Sequence, residues 1–144
     1  MNDEITNIPS FMPGIFTLPP YDHTPPSLLG GSCEACNRHY FPRPKYCPNC
    51  LGPVEEQVLG SEGIIYNYTT IRTKPPLGLP APYSVGYIDL ADRGLRIFCL
   101  LDPAAADQLR VGLPVRLAVG PLGHDGHGSP RLRPYFTPKE AYRR

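Results

Sequence analysis

Along this chain the apolar positions fall into short runs cut by proline and glycine, and no run keeps the helical period long enough for an extended amphipathic helix. Residues 64–73 (IIYNYTTIRT) are rich in β-branched and aromatic side chains and predict the longest strand. A shorter strand is predicted over 54–59, ended by the turn Gly60-Ser61-Glu62-Gly63. Residues 83–90 and 95–101 read as a hairpin around Ala91-Asp92-Arg93-Gly94. In 115–119, Val115, Leu117 and Val119 alternate with Arg116 and Ala118, the two-residue period of a half-buried strand. Residues 120–130 read as a loop containing glycine and histidine, and 131–136 as a closing strand. Asp102 suits an N-cap, Pro103 a first helical position and Gly112 a stop, which predicts one short helix. Residues 75–82, with prolines at 75, 76, 80 and 82, must be an irregular loop.

Before residue 30 the pattern is different. Phe11, Phe16, Leu18, Tyr21, Leu28 and Leu29 follow neither the helix nor the strand period and lie among six prolines. A solvated linker would carry fewer large apolar groups, so this stretch, with the loop 74–82, is expected to dock on a partner. Four or five short strands with a short helix before the last pair match an OB-type barrel, which removes its edges by closure. The expected fold is therefore mainly β: a rubredoxin-like zinc ribbon followed by an OB-fold barrel, with an extended N-terminal arm. The boundaries read as 1–29 for the arm, 30–53 for the ribbon, 54–136 for the barrel and 137–144 for a basic tail.

The ribbon rests on Cys33-x2-Cys36, ten intervening residues, and Cys47-x2-Cys50. A CxxC turn sets two thiolates on one side of a small cation, and two such turns complete a tetrahedron. Asn37 and Gly52 follow the two pairs and suit the left-handed turns such knuckles need. Two disulfides would use the same residues, but the chain opens Met-Asn-Asp-Glu without a signal peptide and is expected to be cytoplasmic, where thiols stay reduced. An iron centre would use the same four ligands, yet closed four-thiolate sites most often hold zinc. With all four positions filled by Cys33, Cys36, Cys47 and Cys50, the metal is expected to be one structural zinc. Cys99, mid-strand between Phe98 and Leu100, reads as core packing rather than a catalytic thiol.

Composition narrows the function. Twenty prolines and fourteen glycines in 144 residues argue for short strands and turns over helices. No stretch of 18 apolar residues is present, so no membrane-spanning helix is expected. His124 and His127 flank Asp125 in a glycine-rich segment that reads as a solvated loop; His39 sits inside the ribbon and His23 in the arm. No nucleophile–base set, P-loop or dinucleotide motif stands out, so no catalytic residue is expected in the chain. Tyr66 and Tyr68 are expected on one face of the long strand, where OB barrels stack bases. A formal net charge of +1 weighs against a single-stranded nucleic-acid module, although Arg131, Arg133, Lys139, Arg143 and Arg144 cluster near the end.

Three stretches together, Leu28-Leu-Gly-Gly-Ser-Cys-Glu-Ala-Cys, Tyr40-Phe-Pro-Arg-Pro-Lys-Tyr-Cys-Pro-Asn-Cys and Gly63-Ile-Ile-Tyr-Asn-Tyr-Thr-Thr, resemble the zinc-ribbon/OB-fold proteins associated with acyl-CoA enzymes. Pro82-Tyr-Ser-Val-Gly-Tyr-Ile-Asp-Leu and Val111-Gly-Leu-Pro-Val-Arg-Leu fit the same pattern, and the resemblance covers residues 28–136. It implies a non-catalytic accessory subunit that assembles with a thiolase, hydratase or aldolase. The partner would supply the chemistry, with a CoA thioester held at the partner interface and Cys33, Cys36, Cys47 and Cys50 as zinc ligands. A thiolase-type partner leads among these expectations. Asn37 stands where the family usually has glycine.

Overall fold

The computed structural model describes residues 15–17, 26–91 and 94–139. Eight strands follow in order: β1 (Leu28–Cys33), β2 (Arg38–Tyr40), β3 (Glu55–Gly60), β4 (Glu62–Ile71), β5 (Tyr83–Leu90), β6 (Arg96–Leu101), β7 (Pro114–His124) and β8 (Pro130–Pro138). They form a three-stranded sheet ordered β2-β1-β3 and a closed barrel ordered β4-β5-β6-β8-β7. All barrel pairs are antiparallel except β6–β8, where Leu100 lies opposite Tyr135 and Leu101 opposite Phe136. This is the five-stranded Greek-key barrel of the OB fold, and the mainly β expectation stands.

Closure depends on β4, the β-branched run. It pairs with β5 along most of its length and with β7 through Glu62, Gly63 and Ile64. A bulge between Ile65 and Asn67 bends the strand between its two partners. Inside, Ile65, Ile88, Ile97, Leu101, Val115 and Phe136 are all at most 3% exposed. Leu28 and Leu59, from β1 and β3, join the same apolar cluster, so the small sheet is seated on the barrel through shared side chains.

Several sequence expectations change here. The segment 54–59, counted with the barrel, instead pairs with β1 in the small sheet, Leu29 opposite Val58 and Gly31 opposite Glu56. Leu28 and Leu29, counted with the arm, are the start of β1 and are buried. Phe16 bridges to Leu28 and is buried against its own chain, pinned by bonds from Leu29 N to Ile15 O (2.9 Å) and from Thr17 N to Ser27 O (2.8 Å). Phe11, Leu18 and Tyr21 lie outside the described residues, as does the tail from residue 140. Thr137 and Pro138, counted with the tail, are buried in β8, and Lys139 pairs with Glu62 at 3.0 Å.

The short helix is a 3-10 helix, Pro103–Gln108, which ends before Gly112 because Leu109 is already extended. Asp102 caps it, accepting from Ala104 N at 2.9 Å, and its other carboxylate oxygen accepts from the Thr137 hydroxyl at 2.8 Å. The loop expected over 120–130 shrinks to 125–129, because β7 and β8 keep pairing as far as His124 and Pro130. Within the proline-rich connection a single 3-10 turn, Pro76–Gly78, packs on β7.

Candidate metal centre

The four knuckle cysteines come together. Their sulfur atoms all lie within 4.8 Å of one another, with Cys33 to Cys50 at 3.5 Å and Cys36 to Cys47 at 3.9 Å. A tetrahedral ion with sulfurs at 2.3 Å requires edges of about 3.8 Å, so these two edges match the size of a zinc site. All four are free thiols rather than disulfide partners. Cys33 and Cys47 are buried, Cys36 is half-buried and Cys50 is exposed, which places the site at the outer end of the ribbon.

The local backbone explains the convergence. Cys33 ends β1, Asn37 turns the chain at φ 54°, and β2 returns alongside β1 with Cys33 opposite Arg38. The second knuckle closes by Cys47 N to Gly52 O (2.9 Å) and Leu51 N to Cys47 O (2.7 Å). Its left-handed residue is Leu51, at φ 63°, not the expected Gly52; in both knuckles the turn falls immediately after the second cysteine.

Donors surround the sulfurs. Asn49 N and Gly52 N point at Cys47 and Cys50, each at 3.4 Å, and Asn49 Nδ2 reaches Cys36 at 3.2 Å. The Tyr40 hydroxyl lies 3.2 Å from the Cys47 sulfur. That bond is the largest cause of a Cys47 thiol lowered to about 6 and of a Tyr40 hydroxyl pushed up to about 12. At Cys50, the Gly52 N–H favours the thiolate, but the neighbouring thiols and burial outweigh it and push the group up to about 12. Four adjacent thiolates thus need a cation to coexist. Tyr40 and Asn49 were not singled out by motif; only their closeness to the knuckles in sequence hinted at a supporting role.

The remaining candidates have other work. Among the described residues, the cysteine set is the group of at least three metal-ligating side chains that could hold an ion, and neither His124 nor His127 belongs to it. Asp125 accepts from His127 N (2.8 Å), Ser129 N (3.1 Å) and Arg131 (2.7 Å), and so organises the hairpin tip. The bulge in β4 also separates the two tyrosines: Tyr68 lies opposite Gly86 and donates to Leu109 O (2.9 Å), whereas Tyr66 lies under the Arg96 guanidinium, 3.4 Å from the ring centre. The described members of the basic cluster disperse as well, with Arg131 on Asp125, Lys139 on Glu62 and Arg133 buried, while Arg143 and Arg144 lie outside the described residues. Burial raises the Cys99 thiol well above its ordinary value, in keeping with packing.

Family models for the ChsH2 rubredoxin-like zinc ribbon domain and the ChsH2 C-terminal OB-fold domain match residues 25–55 and 56–120. The benzoylsuccinyl-CoA thiolase subunit BbsA of Thauera aromatica is 35% identical over 114 residues, 78% of this chain and 77% of that protein. The chain belongs to the ChsH2 family of zinc-ribbon/OB-fold proteins. This is the acyl-CoA-associated family that the sequence resembles. Among solved structures, an Ltp2-ChsH2(DUF35) aldolase superposes with a TM-score of 0.61 at 26% identity, covering 78% of this chain and 84% of that one. No helix among the described residues is long and apolar enough to cross a membrane.

Proposed function

We propose that this chain is the non-catalytic subunit of a thiolase-type acyl-CoA enzyme, and that Cys33, Cys36, Cys47 and Cys50 hold one structural zinc ion in it. The observation that carries the reading is the likeness to the BbsA thiolase subunit, which spans both ribbon and barrel rather than one module. A bound zinc supplies the cross-link that folds the ribbon, and four thiolates leave it no position for a substrate. In this reading the chain stabilises its catalytic partner and helps shape the path of the CoA thioester. Exposed apolar side chains on the outer barrel, Ile64, Tyr87, Phe98 and Tyr66 beneath the Arg96 guanidinium, support the presence of a partner, because soluble monomers rarely gather such groups on one face. The likeness to an Ltp2-ChsH2(DUF35) aldolase supports a second reading in which the partner is an aldolase.

Co-expression with a thiolase-type subunit and, separately, an aldolase-type subunit tests both. A stable complex that thiolyses acyl-CoA, with no turnover by this chain alone, is the expected outcome; a complex with the aldolase alone selects the second reading. Neither complex forming, or full turnover by the isolated chain, defeats the proposal. For the metal, protein purified without added zinc should carry close to one zinc and little iron, and Cys47→Ser should lose the metal and the ribbon fold together. A zinc-free ribbon with unchanged folding rejects that assignment.

A further inference from the structure

Of the four knuckle cysteines, Cys50 alone is exposed, whereas Cys33 and Cys47 are buried and Cys36 is half-buried. The exposure has a local cause in the sequence. Gly52, two residues on, carries no side chain, and a Cβ there would stand 3.2 Å from the Cys50 sulfur. A recess of about 180 Å³ opens beside it, lined by Cys33, Cys50, Glu34, Ala35, Gly52 and Glu55. A water molecule takes about 30 Å³ in the liquid, so the recess accepts only a few molecules of that size. Glu34 and Glu55 set two carboxylates there, which disfavours an anionic visitor and leaves a small neutral one.

The recess reaches two sulfurs together. Cys33 Sγ lies 3.5 Å from Cys50 Sγ. Neither Cys36 nor Cys47 lines the recess, and Asn49 Nδ2 and the Tyr40 hydroxyl each stand 3.2 Å from their sulfurs. Cysteine oxidation follows thiolate character and access, and redox-sensing cysteines stand next to a resolving partner. Ligands of a four-thiolate site are deprotonated, which supplies the thiolate without a neighbouring base. Cys50 adds the access, and Cys33 is the partner.

We infer that Cys50 and Cys33 form a peroxide-sensitive pair, in which Cys50 is oxidised first and Cys33 resolves it to a disulfide. The Cys50 thiolate attacks hydrogen peroxide; an S–O bond forms, the O–O bond breaks, and hydroxide leaves and is protonated by solvent. Cys50 is then a sulfenic acid, oxidised by two electrons at the expense of the peroxide. The Cys33 thiolate next attacks the Cys50 sulfur, forming the S–S bond and breaking S–O, and a second hydroxide leaves to become water. Two of the four sulfur donors are then spent, and the ribbon can no longer enclose its ion. The inference rests on the zinc assignment above and goes beyond it, because a purely structural site would only hold the metal.

The test treats the full-length, zinc-loaded chain with one equivalent of hydrogen peroxide in the presence of a chromophoric chelator. Free thiols are then alkylated and the peptides mapped by mass spectrometry. Zinc should appear in step with the loss of two thiols. Cys33–Cys50 should be the main disulfide, with Cys36 and Cys47 alkylated. Oxidised glutathione, which is anionic and too large for the recess, should release zinc at least tenfold more slowly than peroxide at equal concentration. Gly52→Ala, which sets a methyl group against the Cys50 sulfur, should slow release by peroxide at least threefold from an unchanged starting content. If that variant fails to load zinc, Ala35→Leu, which bulks the same recess from the first knuckle, decides. Zinc retained under excess peroxide, a first disulfide other than Cys33–Cys50, or glutathione acting as fast as peroxide overturns the inference. So does undiminished release in the shielding variant. Zinc content before peroxide is added tests the metal assignment by itself: a zinc-free chain defeats that assignment, and the disulfide formed still decides the pair.

Discussion

Leu51 sits in the left-handed region at φ 63° with three quarters of its surface exposed, an arrangement glycine would hold with less strain. Most of its surface is open to solvent, so Leu51→Gly should stabilise the ribbon by about 1 kcal/mol, the cost that a Cβ meets in left-handed backbone. The check is the midpoint of ribbon unfolding in denaturant, and a lower midpoint refutes the strain argument. Tyr40 makes a different contribution. Its hydroxyl is the one side-chain O–H placed against Cys47, and orienting partners of this sort typically change metal affinity by about 10–100-fold. Tyr40→Phe keeps the ring that packs beside Val54 and the cysteines and removes only the donor. Zinc should then pass to a chelator roughly tenfold more readily at neutral pH, measured by competition with a chromophoric chelator. Unchanged competition would show that the backbone donors suffice.

At the scale of elements, the β7–β8 hairpin tip is held by one carboxylate. Asp125 is lowered to about 2, first by the Ser129 N–H, then by Arg131 and the His127 N–H. A carboxylate lowered on folding adds stability that is complete above its ordinary value near 3.8 and is lost as pH falls toward 2. Amide protection at His127 and Ser129 should therefore hold at pH 6 and collapse between about pH 4 and 2, while Asp125→Asn should abolish that step. Protection in the wild type that does not change with pH across this window argues against the assignment. This hairpin also shows why some elements were legible and others were not. Residues 64–73 announced β4 through β-branched density, and the four cysteines announced the knuckles by spacing. Gly120, Pro121 and Gly123 read as a loop because their local preferences are poor for strands, yet tertiary pairing such as Gly120 opposite Arg133 carries β7 through them. β1 failed for the same reason: Leu28-Leu29-Gly30-Gly31 has no alternation, and only its two neighbours make it a strand. β3 was visible as a strand, but its partner was not, since pairing with β1 is a property of the whole sheet. An apolar cavity of about 440 Å³ beside the ribbon was illegible because residues 15, 41, 77 and 136, which help line it, come from four separate segments.

For the molecule as a whole, the shared cluster of Leu28 and Leu59 with the barrel core makes ribbon and barrel one support. The arm's Phe16 is spent on its own chain, so it no longer counts toward a partner contact. Among the described residues, several of the exposed apolar side chains gather on the outer face of β4, β5 and β6. Ile64, Tyr66, Tyr87 and Phe98 are 49%, 47%, 42% and 56% exposed, and the Tyr87 and Phe98 rings meet at 5.2 Å. Paired aromatics on a closed sheet are rigid and lose little entropy on binding, the character of interface anchors worth about 2 kcal/mol or more. A charge there would be stranded if the face were covered and harmless if it were solvated. Tyr87→Glu leaves Ile88, on the other side of β5, in the core and removes the ring contact with Phe98, so it should destabilise the isolated chain by about 1 kcal/mol without unfolding it. It should nevertheless weaken assembly with the catalytic subunit at least tenfold, read by size-exclusion chromatography at dilute concentration and by calorimetric titration. Conservative Tyr87→Phe should retain most of the affinity, which separates loss of the apolar anchor from loss of the hydroxyl. If Tyr87→Glu assembles as tightly as the native chain, this face is not the contact, and the subunit must engage its partner through another surface.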